Sequence, residues 1–412
     1  MGLKFGPMEG EITFVSTDQM TENKDASVVG RKAAQPLALD RLVLTDFRCY
    51  PTAKLAGITA EGVQPVVLCG PNGAGKTNLL EALSLLAPGR GLRRAALGDF
   101  ARIQGAGGWA VAASVVGALG EAEIGTGLTA GAPEGERRAV RIDGEAASSQ
   151  QALAERFSVQ WLTPQMDRLF LEGPSARRRF LDRMVFGIDP AHSGRVSAYE
   201  KAMRDRARVL RENQRPDAHW LDALEAGMAE RGVAISAARR DMLDRLAGEL
   251  ERGFGPFPAA RVALDGLVDD WVGSMPALEA EDRLKAALKD SRRRDAETGS
   301  TAIGPHRTDL LVHHLAKDMA ADQCSTGEQK ALLIALVLGH VRLTAADRGC
   351  VPVLLLDEVA AHLDQARREA LFEALLALGT QAWLTGTDQP LFEPLRGKAQ
   401  FFEITDAAVS RA

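Results

Sequence analysis

Aromatic residues are scarce. Phe, Trp and Tyr make up 5% of the 412 residues, and only two are Tyr. A protein that holds single strands mainly by stacking bases on rings usually carries more. Cysteine is rarer still: Cys49, Cys69, Cys324 and Cys350 each stand alone, with no second ligand at zinc spacing. That argues against a zinc site and a disulfide framework, and the thiols read as reduced, as in a cytosolic protein. No run of 18 apolar residues is visible, which argues against a membrane span. Residues 1–36 lack the apolar core of a signal peptide and read as a flexible extension. Neither sign of charge dominates, since 50 Lys and Arg face 55 Asp and Glu for a net charge of −5. Such a balance leaves nucleic acid open, because binding depends on a local basic patch.

What is present is ordinary globular material: 46% apolar and 25% charged. The length suggests two or three structural units. Strand-like alternation begins near Leu37 with LALDRLVLTDF, and a second short strand includes Ala53 to Leu55. The apolar strand PVVLC runs into a glycine-rich turn, and helical periodicity follows over 78–86. Three strands separated by Gly-rich turns are expected within 107–144, then a short helix and the strand VQWLTP. From Ser175 to about Arg294 the periods are helical, over 199–210, 219–228 and 235–250. A strand-like pattern returns at 304–314. A long helix over 327–347, a strand over 351–356, a helix over 365–378 and strands over 382–385 and 401–404 follow. Strands alternating with helices at both ends predict one α/β domain interrupted by a helical insert.

The glycine-rich turn is Gly70-Pro71-Asn72-Gly73-Ala74-Gly75-Lys76-Thr77, a full match to G-x-x-x-x-G-K-[ST] with a strand before it and a helix after it. Its glycines let backbone N–H groups converge on phosphate, and the helix N-terminus adds positive charge. Lys76 is then the β/γ-phosphate cation and Thr77 a Mg²⁺ ligand. Val353-Leu354-Leu355-Leu356-Asp357-Glu358 is a buried strand ending in two acids. Asp357 is placed to hold Mg²⁺, and Glu358 to polarise the water that attacks the γ-phosphate.

Ser325-Thr326-Gly327-Glu328-Gln329-Lys330 opens the long helix and resembles the signature motif of ABC-type ATPases. In that superfamily the signature of one subunit covers the γ-phosphate held by the other, which implies ATP contacts for Ser325 and Gly327. The same residues also form an N-cap box, and both readings can hold together. His362-Leu363-Asp364 resembles the D-loop. Gln165 resembles the Q-loop glutamine and is a candidate Mg²⁺ ligand. No His occupies the position of the superfamily's switch at Thr387-Asp388. Lys76 and Asp357 lie 281 positions apart, wider than the pattern of transporter subunits and far narrower than that of coiled-coil chromosome-organising ATPases.

Five further stretches sharpen the likeness: LTDFRCY from Leu44, GPNGAGKTNLLEALSLLAPGRGLR from Gly70, GPSARRRFLDRMV from Gly173, AYEKAMRDRARVL from Ala198 and GPHRTDL from Gly304. Together with the signature and LLLDEVAAHLD they resemble the RecF family of bacterial DNA replication and repair ATPases over residues 37–408. The resemblance implies an ABC-type P-loop ATPase head, residues 37–172 and 301–412, split in sequence by a helical arm, residues 173–300. It implies ATP and Mg²⁺ as cofactors and an ATP-dependent homodimer. The implied role is binding of single- and double-stranded DNA at gaps, helping to load the recombinase with RecR and RecO as partners in the SOS response. Slow hydrolysis would open the dimer. The energising subunit of a membrane transporter is the alternative, and a nuclease ranks last.

Between Ser175 and Arg215 stand 11 Lys or Arg and 5 Asp or Glu. Arg177, Arg178, Arg179 and Arg183 cluster at the start. Arg204, Arg208, Arg211 and Arg215 follow one face of a helix, a stripe able to track DNA phosphates; a solvated face with intrahelical pairs is the other reading. Arg48 is a candidate for the nucleotide phosphates or for a surface salt bridge. His306 and Arg307 stay open between structural and DNA roles.

Overall fold

The computed structural model describes residues 34–133, 137–212 and 217–412. Arg215 and the first 33 residues lie outside them. Along the chain come β1 (Ala38–Phe47), β2 (Tyr50–Leu55), β3 (Val66–Cys69), α1 (Lys76–Leu85), β4 (Trp109–Gly117), β5 (Gly120–Leu128), β6 (Ala139–Ile142) and β7 (Val159–Leu162). Three helices follow, α2 (Pro174–Ile188), α3 (His192–Glu212) and α4 (Ala218–Glu251), then β8 (Ala260–Asp265), α5 (Ala277–Asp290) and β9 (Asp309–His314). The chain closes with α6 (Thr326–Arg348), β10 (Val353–Leu356), α7 (Gln365–Leu378), β11 (Ala382–Gly386), β12 (Gln400–Thr405) and β13 (Ala408–Arg411).

Successive side chains of a strand point to opposite faces, so an unbroken apolar run needs a core on both sides. Val353 to Leu356 meets that need in the sheet of order β13-β12-β3-β11-β10-β7, parallel except at its β13 edge. On one face Val353, Leu355 and Trp383 pack with Leu79, Leu80 and Leu83 of α1 and with Leu42 and Leu44 of β1. On the other, Leu354, Leu356 and Leu384 pack with Leu332 and Leu336 of α6, Phe180 and Met184 of α2, and Leu246 and Leu250 of α4. Truncating any one of these leucines to Ala costs about 2–5 kcal/mol. The antiparallel sheet β2-β1-β4-β5-β6 covers α1 from outside. Gln35 and Pro36, read above as leader, already pair with Cys350 and Val351.

Helix α6 is long and apolar enough, by length and composition, to cross a membrane, yet 83% of its apolar window is buried here. It is the core helix of the head.

Two elements differ from the periodicity. The helices expected at 219–228 and 235–250 are one 34-residue helix, α4. Gly232 does not break it, because the missing Cβ is what lets a neighbour in: a methyl there would sit 2.9 Å from Leu284 Cδ2. β8 lies within the stretch expected to be helical and pairs antiparallel with β9. The upper part of α4 builds its own core with Tyr199, Met228, Val233 and Leu284. Beside it Arg206, fully buried, donates to Glu225 Oε1 at 2.8 Å and Asp295 Oδ2 at 2.7 Å. His306 accompanies this packing. Its Nδ1 lies 2.9 Å from Tyr199 Oη, and burial drives its pKa down to about 4. Of the two roles left open for His306, these contacts are structural ones.

Candidate nucleotide site and basic surface

Parallel strands end together, so β3, β11, β10 and β7 deliver their carboxyl ends to one edge, where α/β sheets place ligands. After Cys69 the chain turns through Gly70 to Gly75 into α1. Gly75 holds φ 113°, and a Cβ there would lie 2.6 Å from Tyr50 Oη and 2.9 Å from Cys49 Sγ. A Cβ on Gly70 would strike the Ile404 carbonyl. Helix α1 starts with no side-chain cap and no acidic residue in its first turn, which leaves a positive end open to an anion. Lys76 Nζ donates to the Gly70 and Pro71 carbonyls of its own loop, at 2.6 and 2.9 Å. Burial lowers the Lys76 pKa, while Glu358 and Asp357 pull it back up. Pro71, Asn72, Gly73 and Ala74 complete the turn around this ammonium.

Asp357 follows β10 and is buried. Its Oδ1 accepts from Thr77 Oγ1 at 2.9 Å and from Thr385 Oγ1 at 2.8 Å. Oδ2 makes no hydrogen bond among the described residues, so one carboxylate oxygen is free for a cation. Burial raises the Asp357 pKa against the pull of both hydroxyls. Glu358 sits in the left-handed region at φ 54°, a cost of the kind stored at functional sites. Its backbone N–H donates to Thr385 Oγ1 at 2.9 Å, and its carboxylate has no hydrogen-bond partner among the described residues. Among those residues no group of three or more His, Cys, Asp and Glu could hold a metal alone. The pair of Thr77 and Asp357 oxygens therefore fits Mg²⁺, which dehydrates reluctantly and takes few protein ligands plus phosphate and water.

Sequence reasoning missed Thr385 and Arg93. Thr385 is the last residue but one of β11, the strand between the phosphate loop and the acidic strand; a hydroxyl near that strand end was the one signal that pointed to it. Arg93 lies 3.2 Å from Asn78 Oδ1 and 3.6 Å from Glu81 Oε2, and its charge reaches Asp357.

The remaining expected residues fall in different places. Arg48 makes a bidentate pair with the buried Glu81, at 2.8 and 3.0 Å, donates to the Asp99 carbonyl and lies over the Phe100 ring. Of the two readings left open for Arg48, the salt bridge is the one formed here. Gln165 is exposed in a turn after β7, whose Leu162 carbonyl accepts from Asp357 N at 2.9 Å. Ser325 caps α6 in a box with Glu328, and both Ser325 and Gly327 are exposed. A hydrogen-bonded Lys317 holds the Glu328 pKa down at about 2. Two residues later the buried Lys330 reaches Asp167 at 3.0 Å, tying the signature helix to the turn that carries Gln165.

Arg204, Arg208 and Arg211 are all exposed on α3. Arg204 lies 3.8 Å from Glu200 and Arg208 3.0 Å from Asp205, both loose surface pairs. The Arg cluster before them is mostly not a surface. Arg177 forms a bidentate pair with Asp309 at 2.7 Å, Arg178 donates to the Thr308 carbonyl at 2.7 Å, and Arg183 lies over the Trp161 ring. Burial pushes Arg183 down to about 9. Of the four, Arg179 alone is exposed with no such partner among the described residues.

Residues 38–406 match the RecF/RecN/SMC N terminal domain family. Over 375 residues the chain is 50% identical to the DNA replication and repair protein RecF of Rhizobium etli, covering 90% of this chain and 98% of that one. The chain belongs to the RecF family. RecF of Mesorhizobium japonicum is 52% identical over 374 residues, covering 90% and 97%. In fold the chain is similar to a solved structure of the recombination mediator protein RecF-ATP in the RecFOR pathway, with a TM-score of 0.80 at 23% identity over 93% of this chain and 99% of that one. It is also similar to an Smc head domain from Pyrococcus furiosus, with a TM-score of 0.52 at 15% identity over 91% and 96%. The expected ABC-type ATPase head is the fold that this RecF-family chain has, and nothing in these likenesses favours a transporter subunit.

Proposed function

We propose that this RecF-family chain is an ATP-switched DNA-binding protein of replication and recombinational repair. The observation that carries the reading is the convergence of Lys76, Thr77, Asp357 and Glu358 at one sheet edge, within a chain whose relatives are DNA replication and repair proteins. Gly70 to Thr77 would cradle the phosphates, with Lys76 exchanging its loop carbonyls for phosphate oxygens. Thr77, the free oxygen of Asp357 and Gln165 would hold Mg²⁺, which when bound neutralises phosphate charge. Glu358 would orient and deprotonate the attacking water. The exposure of Ser325 and Gly327 at the start of α6 suits contact with nucleotide held by a second copy, so two heads would close around ATP. Nucleotide can drive that closure only by its differential affinity for the closed pair.

The exposed Arg204, Arg208 and Arg211 would follow the DNA backbone with little sequence preference, on single and double strands at gaps. Residues 173–300 would thus act as the DNA-facing arm of a head built from 37–172 and 301–412. In the cytoplasm, RecR and RecO would be the partners in recombinase loading. The test is sedimentation and DNA binding with and without ATP. Wild type should dimerise with ATP; Lys76→Ala should lose ATP binding, and Ser325→Arg should keep ATP binding but fail to dimerise. Replacing Arg204, Arg208 and Arg211 with Gln should weaken DNA binding and leave ATP binding intact. ATP-driven dimers of Ser325→Arg, or unchanged DNA binding in the Gln variant, would overturn the corresponding part.

A further inference from the structure

We propose that Arg367 meets the terminal phosphate of the nucleotide held by a second copy of the chain, so that a guanidinium supplied from across the pair completes each site. The inference rests on the two-head reading above and adds to it a residue outside the signature. Arg367 lies in the first turn of α7, directly after the loop His362–Asp364. Its Nη1 donates to the Gly327 carbonyl at 3.4 Å and stands 3.6 Å from where a Cβ on Gly327 would be. The two residues are 40 positions apart in the chain, so the fold and not local sequence brings this cation to the signature.

Arg367 stands where a helix disfavours it. The first turn carries unpaired N–H groups and the positive end of the dipole, which oppose a cation. Arg368 beside it turns back to the Leu363 carbonyl at 3.2 Å, whereas Arg367 reaches another element. Its grip there is loose. A contact of 3.4 Å is long for an N–H···O bond. Asp364 Oδ2 stays 3.7 Å away in an i, i+3 surface pair, while Asp364 Oδ1 is engaged in capping the Arg367 backbone N–H at 2.8 Å. Nε and Nη2 make no hydrogen bond among the described residues, and the side chain is 29% exposed. A guanidinium has five N–H donors in a planar fork, so most of them are left for an oxyanion. The neighbouring charges are already matched: the Glu328 carboxylate accepts from Lys317 Nζ and from the Ser325 N–H. Arg367 is thus the uncommitted cation beside the exposed Ser325 and Gly327 among the described residues.

Ser325 and Gly327 offer a phosphate a hydroxyl and a backbone N–H but no full charge. A phosphate within hydrogen-bond reach of either lies within one side-chain rotation of Arg367, which already touches Gly327. In the step it serves, water adds to the γ-phosphorus as its proton passes to Glu358 of the copy that holds the nucleotide. The bond from the γ-phosphorus to the bridging oxygen breaks with its electron pair on ADP, and inorganic phosphate is left. Arg367 donates to the γ-phosphate oxygens, where fixed positive charge lowers the barrier. A DNA phosphate presents the same oxygens, but the contact with Gly327 ties Arg367 to the nucleotide.

The experiment follows ATP-driven pairing by sedimentation, and phosphate release, in Arg367→Gln, Arg367→Ala and Ser325→Arg. Arg367→Gln should bind ATP as the wild type does, because Lys76 and Thr77 of its own chain are untouched. It should lose about 10²–10³-fold in phosphate release, the usual effect of removing one charge-stabilising donor. Mixing it with Lys76→Ala decides which chain Arg367 serves. One composite site of the mixed pair has both defects and the other has neither, so release well above the sum of the two variants alone is expected. Guanidinium ion, far below a denaturing concentration, should restore part of the release by Arg367→Ala, which a lost structural tie would not allow. Wild-type release by Arg367→Gln, beside a Ser325→Arg that binds ATP but no longer pairs, overturns the assignment and leaves the two-head reading standing. No recovery in the mixture puts Arg367 on its own chain's nucleotide and overturns it too. Release by Arg367→Ala that guanidinium does not raise makes the residue a tie between signature and loop, and a loss of nucleotide-free DNA binding makes it a DNA contact; either result overturns the proposal. A Ser325→Arg that pairs with ATP like the wild type overturns the two-head reading itself, and the proposal with it.

Discussion

Thr385→Val is the most informative single change, because valine keeps the shape and removes only the hydroxyl. Thr385 is buried, donates to Asp357 Oδ1 at 2.8 Å and accepts from Glu358 N at 2.9 Å. A hydrogen bond to a charged group is worth about 1.5–3 kcal/mol, and a buried N–H left without an acceptor costs about 1–3 kcal/mol. A destabilisation near ~3 kcal/mol at neutral pH is expected from these two terms, read as a lower urea midpoint. The pH dependence is a second signature. Burial holds the folded-state pKa of Asp357 above its unfolded value, so its ionised form costs stability above that pKa, and the cost is relieved as pH falls through it. Removing the Thr385 hydroxyl raises the folded pKa further. The deficit of Thr385→Val should be full at neutral pH and shrink as Asp357 protonates, leaving the part due to the Glu358 N–H. Asp357→Asn should absorb most of the pH-dependent part in a double-mutant cycle. Mg²⁺-dependent nucleotide binding should weaken in parallel. A wild-type unfolding free energy at neutral pH, or a deficit that does not shrink as pH is lowered into the range where ordinary carboxyls protonate, refutes the reasoning.

Glu358→Gln should bind nucleotide as wild type does and lose about 10²–10⁴-fold in hydrolysis, the usual contribution of a general base; phosphate release at the wild-type rate would remove Glu358 from that role. Arg206→Gln leaves Glu225 and Asp295 short of a buried cation and should cost about 3–5 kcal/mol. Urea unfolding measures it, limited proteolysis should show new cleavage within α3 to α5, and an unchanged unfolding curve would mean the network contributes nothing.

The phosphate loop and the acid pair were legible in the sequence because each is local: neighbouring residues between a strand and a helix that their own periodicity announces. Thr385 was not legible, since its role depends on a strand pairing that brings it beside a residue 28 positions earlier. The same holds for the arginines. Net charge between Ser175 and Arg215 overstates the basic surface, because the partner of Arg177 lies 132 positions away and Arg183 is engaged by Trp161. The strand β8 was missed because its alternation, with Ala260, Val262 and Leu264 on the inner face, is only six residues long inside a segment of helical composition, and it is fixed by pairing with β9. Helical periodicity failed at Gly232 in the opposite sense. A residue that usually weakens a helix is used there for a close approach.

The unbroken course of α4 has a mechanical consequence. Its 34 residues span about 50 Å at 1.5 Å per residue. Met242 to Leu250 are embedded in the packing around the parallel sheet, while Met228, Val233 and Ile235 belong to the arm's own core. With no hinge between the two ends, the helix is a lever whose fulcrum is the head. A tilt of roughly 5° at the sheet would carry the far end by about 4 Å over that length, a displacement large enough to bring a row of side chains onto a phosphate backbone or lift it away. Small movements at the sheet would be read out at the tip as large ones, without any bending of the arm.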